Sequence, residues 1–285
     1  MIDKFSEWIH KNQFEDWKKP VGENSELNFP GEYEFLASYE ENDFKKNIKN
    51  PDVKYYIDNP LKYKFNSQGF RMDEDFKDNI SVNIFLGCSD TFGFGLHQSH
   101  TWSYKLHKHI SKGEHYWNLA LPGNGIQTDF RTLYYILNKY GKNIKINNIF
   151  HLAQYRMRLE FFDNIGPNIL CIHDYDGNES EDSFKHKLLY DTNNITTYIS
   201  NINAIENLAK KYNSNYYVTS IDFIIDNNID VGTNRNILYD ESLSNLLARD
   251  LGHPSYDTSH QLFSVFLDMY NTNSSGYCVI NNNLI

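Results

Sequence analysis

Ser89 ends the stretch Ser-Val-Asn-Ile-Phe-Leu-Gly-Cys-Ser at positions 81–89, where an apolar, β-branched run stops at a glycine. Such a run reads as a strand buried on both faces that closes into a strand-to-helix turn. A hydroxyl there is placed to act as a nucleophile, because the following helix start lends positive potential and free backbone N–H groups to a developing oxyanion. Capping that helix is the simpler use of the same serine. A nucleophilic serine also needs a base. Near the other end of the chain, "RDLGHPSYD" supplies Asp250 and His253 on a glycine-containing loop, so that the carboxylate can orient the imidazole and stabilise its protonated form.

Neighbouring residues compete for these roles. Cys88 adjoins the serine, but strand alternation turns its side chain to the opposite side, as a small buried packing residue. His260 and Asp257 are rivals for base and orienter, with His260 assigned to the final helix. Arg156 and Arg158 follow the third strand, either as surface ion-pair partners or as a hold on an anionic part of a substrate. His97, His100, His107 and His109 crowd one predicted helix and its approach. No two of them stand at the i, i+4 spacing of a metal-binding helix, so they read as solvent-facing and no metal site is expected. "HDYDGNESED" at 173–182 has its glycine too early for an EF-hand loop and reads as a polar surface insertion.

These residues need elements to position them. After the strand at 81–88, apolar spacing at Trp102, Leu106 and Ile110 predicts a helix within 98–110. "HYWNLAL" predicts a second strand closed by "PGNG", and "IQTDFRTLYYILNKYG" a helix ending at Gly141. "IKINNIFHLA" reads as a third strand, 202–212 as a helix, "SNYYVTSID" as a fourth strand, and 243–247 and 261–270 as helices. Strands and helices alternating in this way predict an α/β fold whose parallel sheet is covered by helices on both faces. Ligands of such sheets bind beyond the carboxyl ends of the strands, where strand order reverses. Gly87-Cys88-Ser89, Pro122-Gly123-Asn124 and Ala153-Gln154 all fall at such ends and should converge.

With 285 residues, 40% of them hydrophobic, the chain can bury a large core. Turn signals and mixed aromatic and charged residues set off an irregular or partly helical lead-in, 1–75, packed on a main domain, 76–285. A net charge of −10 without a basic stripe argues against wrapping nucleic acid, and "DWKK" and "FKKNIK" read as solvated faces. No apolar leader follows Met1 and no segment approaches the length of a membrane span. The three widely spaced cysteines suit neither a disulfide framework nor a zinc site, so a reducing, cytoplasmic or other intracellular compartment is the expectation. Sequons at Asn178, Asn194 and Asn273 follow from an asparagine-rich composition, which itself points to an AT-rich genome, viral or bacterial.

Taken in order, Gly-x-Ser-x-x-x-Gly, the Asn118-to-Gly123 segment of the second strand and turn, and Asp-x-x-His-Pro resemble the blocks of the SGNH hydrolase superfamily, the GDSL-type esterases. "FNSQGFRMDEDF" resembles the Asn-Ser-x-Gly-Phe-Arg lead-in of many members, and the likeness runs from about Phe65 to Tyr270. The resemblance implies a three-layer α/β/α sandwich with a flavodoxin-like parallel sheet. It implies Ser89 as nucleophile, His253 as general base and Asp250 as its partner, with the Ser89 and Gly123 backbone N–H groups in the oxyanion hole. Two positions depart from it. Cys88 replaces the aspartate of Gly-Asp-Ser, and "AQYRMRLE" replaces the third block, leaving Gln154 or Asn124 to stand in for the oxyanion-hole asparagine.

The chemistry implied is hydrolysis of a small ester, an O-acetyl or other short acyl group on carbohydrate being the leading substrate, with no metal or organic cofactor. An O-acyltransferase using the same triad, and a non-catalytic binding or structural relative, are the alternatives.

Overall fold

The computed structural model describes residues 31–34, 51–154, 158–162, 167–171, 192–220, 248 and 255–273. Four parallel strands form its centre: β3 (Ser81–Leu86), β4 (His115–Asn118), β5 (Lys145–Ala153) and β8 (Asn215–Ser220). They lie in the order β4-β3-β5-β8. Counting only these strands, that is 2-1-3-4, the flavodoxin-like order, with its reversal between β3 and β5.

Helices cover both faces, as the alternating pattern predicts. Val82, Ile84 and Leu86 of β3, Ile149 and Ala153 of β5, and Val218 of β8 share one core with α4 (Ile126–Tyr140) and α5 (Thr192–Lys211). Phe85, Phe150 and Tyr217, one residue out of phase, share the other with α3 (Trp102–Ile110) and α6 (Tyr256–Thr272). Period-two alternation in the strands thus sorts the apolar residues into two layers. On the second face, Phe85, Phe150 and Tyr217 stand opposite one another across three strands, with ring centroids 5.2 and 5.1 Å apart. Trp102 of α3 stacks on Phe266 of α6 at 4.2 Å, tying the two helices together.

The remaining described elements depart from the sequence reading. Helix α5 begins at Thr192, earlier than the segment 202–212 that apolar spacing predicts. Its first half, "TNNITTYISN", has weak intrinsic helix preference, whereas Ile202, Ile205 and Ala209 supply the buried face. The lead-in contains α1 (Pro51–Asp58) and a two-stranded antiparallel sheet of β1 (Gly31–Glu34) and β2 (Lys62–Phe65). Those strands are four residues each and far apart in sequence, so no hairpin signal marks them. A second antiparallel pair, β6 (Arg158–Phe162) with β7 (Pro167–Cys171), follows the third strand in a stretch to which the sequence reading assigns no element. Arg-Leu-Glu-Phe at 158–161 alternates with the period of a half-buried strand, and this was its available signal. The predicted helix at 243–247 lies outside the described residues.

Tyr63 and Phe65 of β2, together with Phe70, Met72 and Phe76, join the core under the first helical face. The described part of the lead-in therefore packs into the main hydrophobic layer. No helix among the described residues is long and apolar enough to cross a membrane.

Candidate active site

The chain leaves β3 at Leu86 and turns sharply. Gly87 has φ of +144°, and a Cβ there would lie 2.3 Å from Thr91 Oγ1 and 2.9 Å from the Leu152 carbonyl oxygen. Only glycine lets the backbone pass so close to β5 in that conformation. Ser89 then opens the four-residue helix α2 (Ser89–Phe92) and is nearly buried, 7% exposed. It sits at the carboxyl end of β3, beside the reversal of strand order.

A buried arginine holds the far end of α2. Arg71 donates from Nη1 to the carbonyls of Phe92 (2.9 Å) and Gly93 (2.6 Å), and from Nη2 to that of Leu96 (2.7 Å). Its guanidinium lies 4.0 Å above the Tyr63 ring, and burial pulls its pKa below the usual arginine value. Helix ends expose carbonyls without intrahelical partners, and the guanidinium fork satisfies three carbonyls at and beyond this end. Asn66 shapes the turn before it: its Oδ1 accepts from the N–H groups of Gln68 (3.1 Å) and Phe70 (2.9 Å), while Nδ2 donates to the Glu74 carbonyl. The Asn-Ser-x-Gly-Phe-Arg lead-in is thus a bracket for the helix that carries Ser89.

Across from Ser89 runs the turn that follows β4. Leu121 N–H donates to the Gly87 carbonyl at 3.2 Å, and Gly123 N–H donates to Cys88 Sγ at 3.1 Å. The backbone groups of the first and second blocks therefore meet, as expected for strand ends beside the switch point. Asn124 is turned inward: its Nδ2 donates to Asp129 Oδ1 at 2.5 Å. The other carboxylate oxygen of Asp129 lies 3.1 Å from His151 Nε2, and His151 Nδ1 lies 2.7 Å from the Tyr216 hydroxyl. Asn124, Asp129 and His151 are fully buried. Such polar groups persist in a core only when bonded, and this chain ties the turn to α4, β5 and β8.

Sequence reading did not assign Asp129 or His151. Their signal is polarity at buried positions: His151 interrupts the apolar end of β5, and Asp129 falls among Ile126, Leu133, Ile136 and Leu137 on the inward side of α4.

The side chain of Cys88 lies where alternation does not put it. The strand has ended, Cys88 has φ −106° and ψ −144°, and its Sγ stands 3.6 Å from Ser89 Oγ. The thiol donates to that hydroxyl and accepts from Gly123 N–H and from Arg158 Nη1. Burial pushes the thiol pKa up, with Arg158 pulling the other way, which favours the protonated form needed for that donation. Cys88 is fully buried, but it borders the serine instead of packing behind it.

Gln154 follows β5 directly and is 1% exposed. Its Nε2 donates to the Leu152 carbonyl at 2.9 Å, so in this arrangement one amide hydrogen is engaged with the strand end. Arg158 reaches the Ser89 side of the site from β6, with Nη1 also 3.5 Å from the Asn124 carbonyl oxygen. Asp250, His253 and Arg156 lie outside the described residues. His260 falls within α6, where sequence reading puts it, and Asp257 stands in the first turn of that helix.

Of the clustered histidines, His97 and His100 stay together, edge to face with ring centroids 5.5 Å apart, and the others part from them. His97 contacts the Asn59 carbonyl, His109 meets the Phe263 ring, and His107, expected to face solvent, is buried beside Phe85 and Tyr116. Among the described residues, no three His, Cys, Asp or Glu side chains are grouped to hold a metal ion.

No protein-family model and no curated protein matches the chain. Among solved structures it is similar to TesA, at 12% identity and a TM-score of 0.39, covering 67% of this chain and 98% of that one. It is also similar to a carbohydrate acetylesterase family member from Sinorhizobium meliloti, at 11% identity and a TM-score of 0.34, covering 70% and 82%. A third similar structure is the acetyl xylan esterase AlAXEase, at 11% identity and a TM-score of 0.31, covering 71% and 79%. The described residues themselves combine a flavodoxin-like strand order, a serine at the end of β3 and a glycine turn that faces it.

Proposed function

We propose that the protein is a serine ester hydrolase of the SGNH type that removes a short acyl group, such as O-acetyl, from a carbohydrate or other small ester. One observation carries the reading: a nearly buried serine opens a helix at the switch point of a flavodoxin-like sheet, one sulfur atom away from the backbone N–H of Gly123. Carbonyl chemistry needs a hydroxyl and an oxyanion donor close together. The sequence supplies the rest of the triad as Asp250 and His253.

In this reading His253 takes the Ser89 proton as Oγ bonds to the ester carbon. The carbonyl electron pair moves onto oxygen, held by the Ser89 and Gly123 N–H groups. To serve there, Gly123 N–H exchanges its weak sulfur acceptor for the stronger oxyanion. The pair then returns, the alkoxide leaves with the proton from His253, and acyl-Ser89 remains. Water, deprotonated by His253, attacks that ester and releases the acid. No metal or organic cofactor enters these steps.

The test is labelling with a fluorophosphonate probe, with the modified peptide mapped by mass spectrometry, alongside turnover of p-nitrophenyl acetate and acetylated sugars. Labelling at Ser89 that Ser89→Ala and His253→Ala abolish, with ester turnover, is the expected result. Folded wild-type protein that neither labels nor turns over ester refutes the reading. Acyl transfer to an added sugar in place of release to water would identify the acyltransferase.

A further inference from the structure

The two side-chain amides that the sequence offers as oxyanion donors both bond elsewhere in the protein. Asn124 Nδ2 is on Asp129, deep under the turn, and Gln154 Nε2 is on the carbonyl of Leu152. Two other donors converge beside the nucleophile instead. Gly123 N–H and Arg158 Nη1 both point at Cys88 Sγ, and that sulfur is 3.6 Å from Ser89 Oγ. Two donors aimed at one acceptor next to a nucleophile form a receptor for a polar atom, and a sulfur is a weak occupant of it.

The backbone carrying Arg158 is also fixed there. A Cβ on Gly125 would come within 2.5 Å of the Arg158 carbonyl oxygen, so glycine at 125 is what lets β6 press against the turn that holds Gly123. The close approach places guanidinium and backbone amide on the same side of Ser89.

We propose that Arg158 is a catalytic residue whose guanidinium replaces the missing third-block asparagine as the side-chain donor of the oxyanion hole. The inference rests on the esterase reading of the site. When Ser89 Oγ bonds to the ester carbon, the C=O electron pair moves onto oxygen. That oxygen replaces Cys88 Sγ as the acceptor of Gly123 N–H and Arg158 Nη1, which turn from the sulfur toward it. When the pair returns, the bond to the leaving alcohol breaks and the oxygen is released. A guanidinium suits this use because it stays charged, offers several N–H groups in a fixed plane and bonds strongly to anionic oxygen.

The role separates from the clamping of an anionic substrate group. With p-nitrophenyl acetate, which has no charge to clamp, Arg158→Ala is expected to lower kcat about a hundred- to a thousandfold, with KM changed by less than about threefold. Methylguanidine should restore at least tenfold of that loss in Arg158→Ala and nothing in the wild type, a rescue that a structural role does not give. Arg158→Lys, which keeps the charge but not the fork, should fall between. Three results overturn the proposal: unchanged kcat on the neutral ester, a defect confined to KM for anionic esters, or a kcat loss that methylguanidine leaves untouched while the melting temperature falls. Active wild type with any of these sinks the Arg158 assignment alone. Wild type that neither labels at Ser89 nor turns over ester sinks the hydrolase reading and this one with it.

Discussion

Replacing Arg71 by methionine keeps an apolar stem of similar length and removes the guanidinium. Three carbonyl groups, those of Phe92, Gly93 and Leu96, then lose the guanidinium inside a packed region where Arg71 itself is 1% exposed, and Gly93 keeps the Leu96 N–H. Hydrogen bonds from a charged donor contribute roughly 1.5–3 kcal/mol each, and bonds made by one side chain do not add fully. An unsatisfied buried polar group costs about 1–3 kcal/mol, so the carbonyls left behind set an expected destabilisation of roughly 3–5 kcal/mol. In a chain of this size each kcal/mol moves the melting temperature by about 2–4 °C, so the variant should melt roughly 6–20 °C lower. Because the clamp holds the helix that starts at Ser89, kcat should fall at temperatures well below that melt, where the fold is intact. Arg71→Lys should recover part of the stability and little of the activity, since one ammonium cannot span three carbonyls. Urea and thermal unfolding by circular dichroism, with ester turnover measured far below the transition, provide the assay. A methionine variant within 1 kcal/mol of wild type and with wild-type kcat would show that α2 does not depend on the clamp.

Two further expectations rest on buried polar groups. Asp129→Ala leaves His151 and Asn124 without their shared carboxylate and should cost about 1–3 kcal/mol for each of the two in urea unfolding, whereas a total loss below about 1 kcal/mol would deny the network a structural part. His107 is buried, and desolvation, aided by Lys108, lowers its pKa to about 4 from 6.5. Its neutral form is favoured on folding, so the stability it contributes is full above pH 6.5 and is lost as pH falls toward 4. Between pH 7 and 5 wild type should lose about 2 kcal/mol more than His107→Gln, and parallel pH profiles for the two proteins would refute the assignment.

The parts of the molecule that sequence reading reached are those with a strong local signature. The four parallel strands and the helices between them follow from apolar runs, periodicity and glycine punctuation, and Ser89 stands at the strand end that the pattern marks. Cys88 shows where such reasoning stops. Alternation holds only while the chain is a strand, and the positive φ at Gly87 ends it one residue too soon for the rule to place the thiol. Gln154 and Asn124 have the chemistry and the chain position of oxyanion donors, but a side-chain amide satisfies the nearest buried group, and here those are Leu152 and Asp129. The strands β1 and β2 are four residues long and far apart in sequence, so no hairpin signal marks them, and β6 offers only the short alternation at 158–161. The Arg71 clamp is legible only as a motif, because its meaning lies in bonds to residues more than twenty positions later.

The row of rings at Phe85, Phe150 and Tyr217 has a consequence for chemistry on the other side of the molecule. Sliding any of these strands by one residue would throw its ring onto the opposite face, so the row acts as a datum line from which every strand end is measured. The height at which Ser89 leaves the sheet is set by that line. The same aromatic layer grips α6 through Trp102 and Phe266, and α6 starts at Tyr256, three positions after His253 in the sequence. The strand end that carries Ser89 and the start of α6, distant in the chain, are thereby surveyed from one common reference, and errors in that layer would shift one against the other before they unfold either.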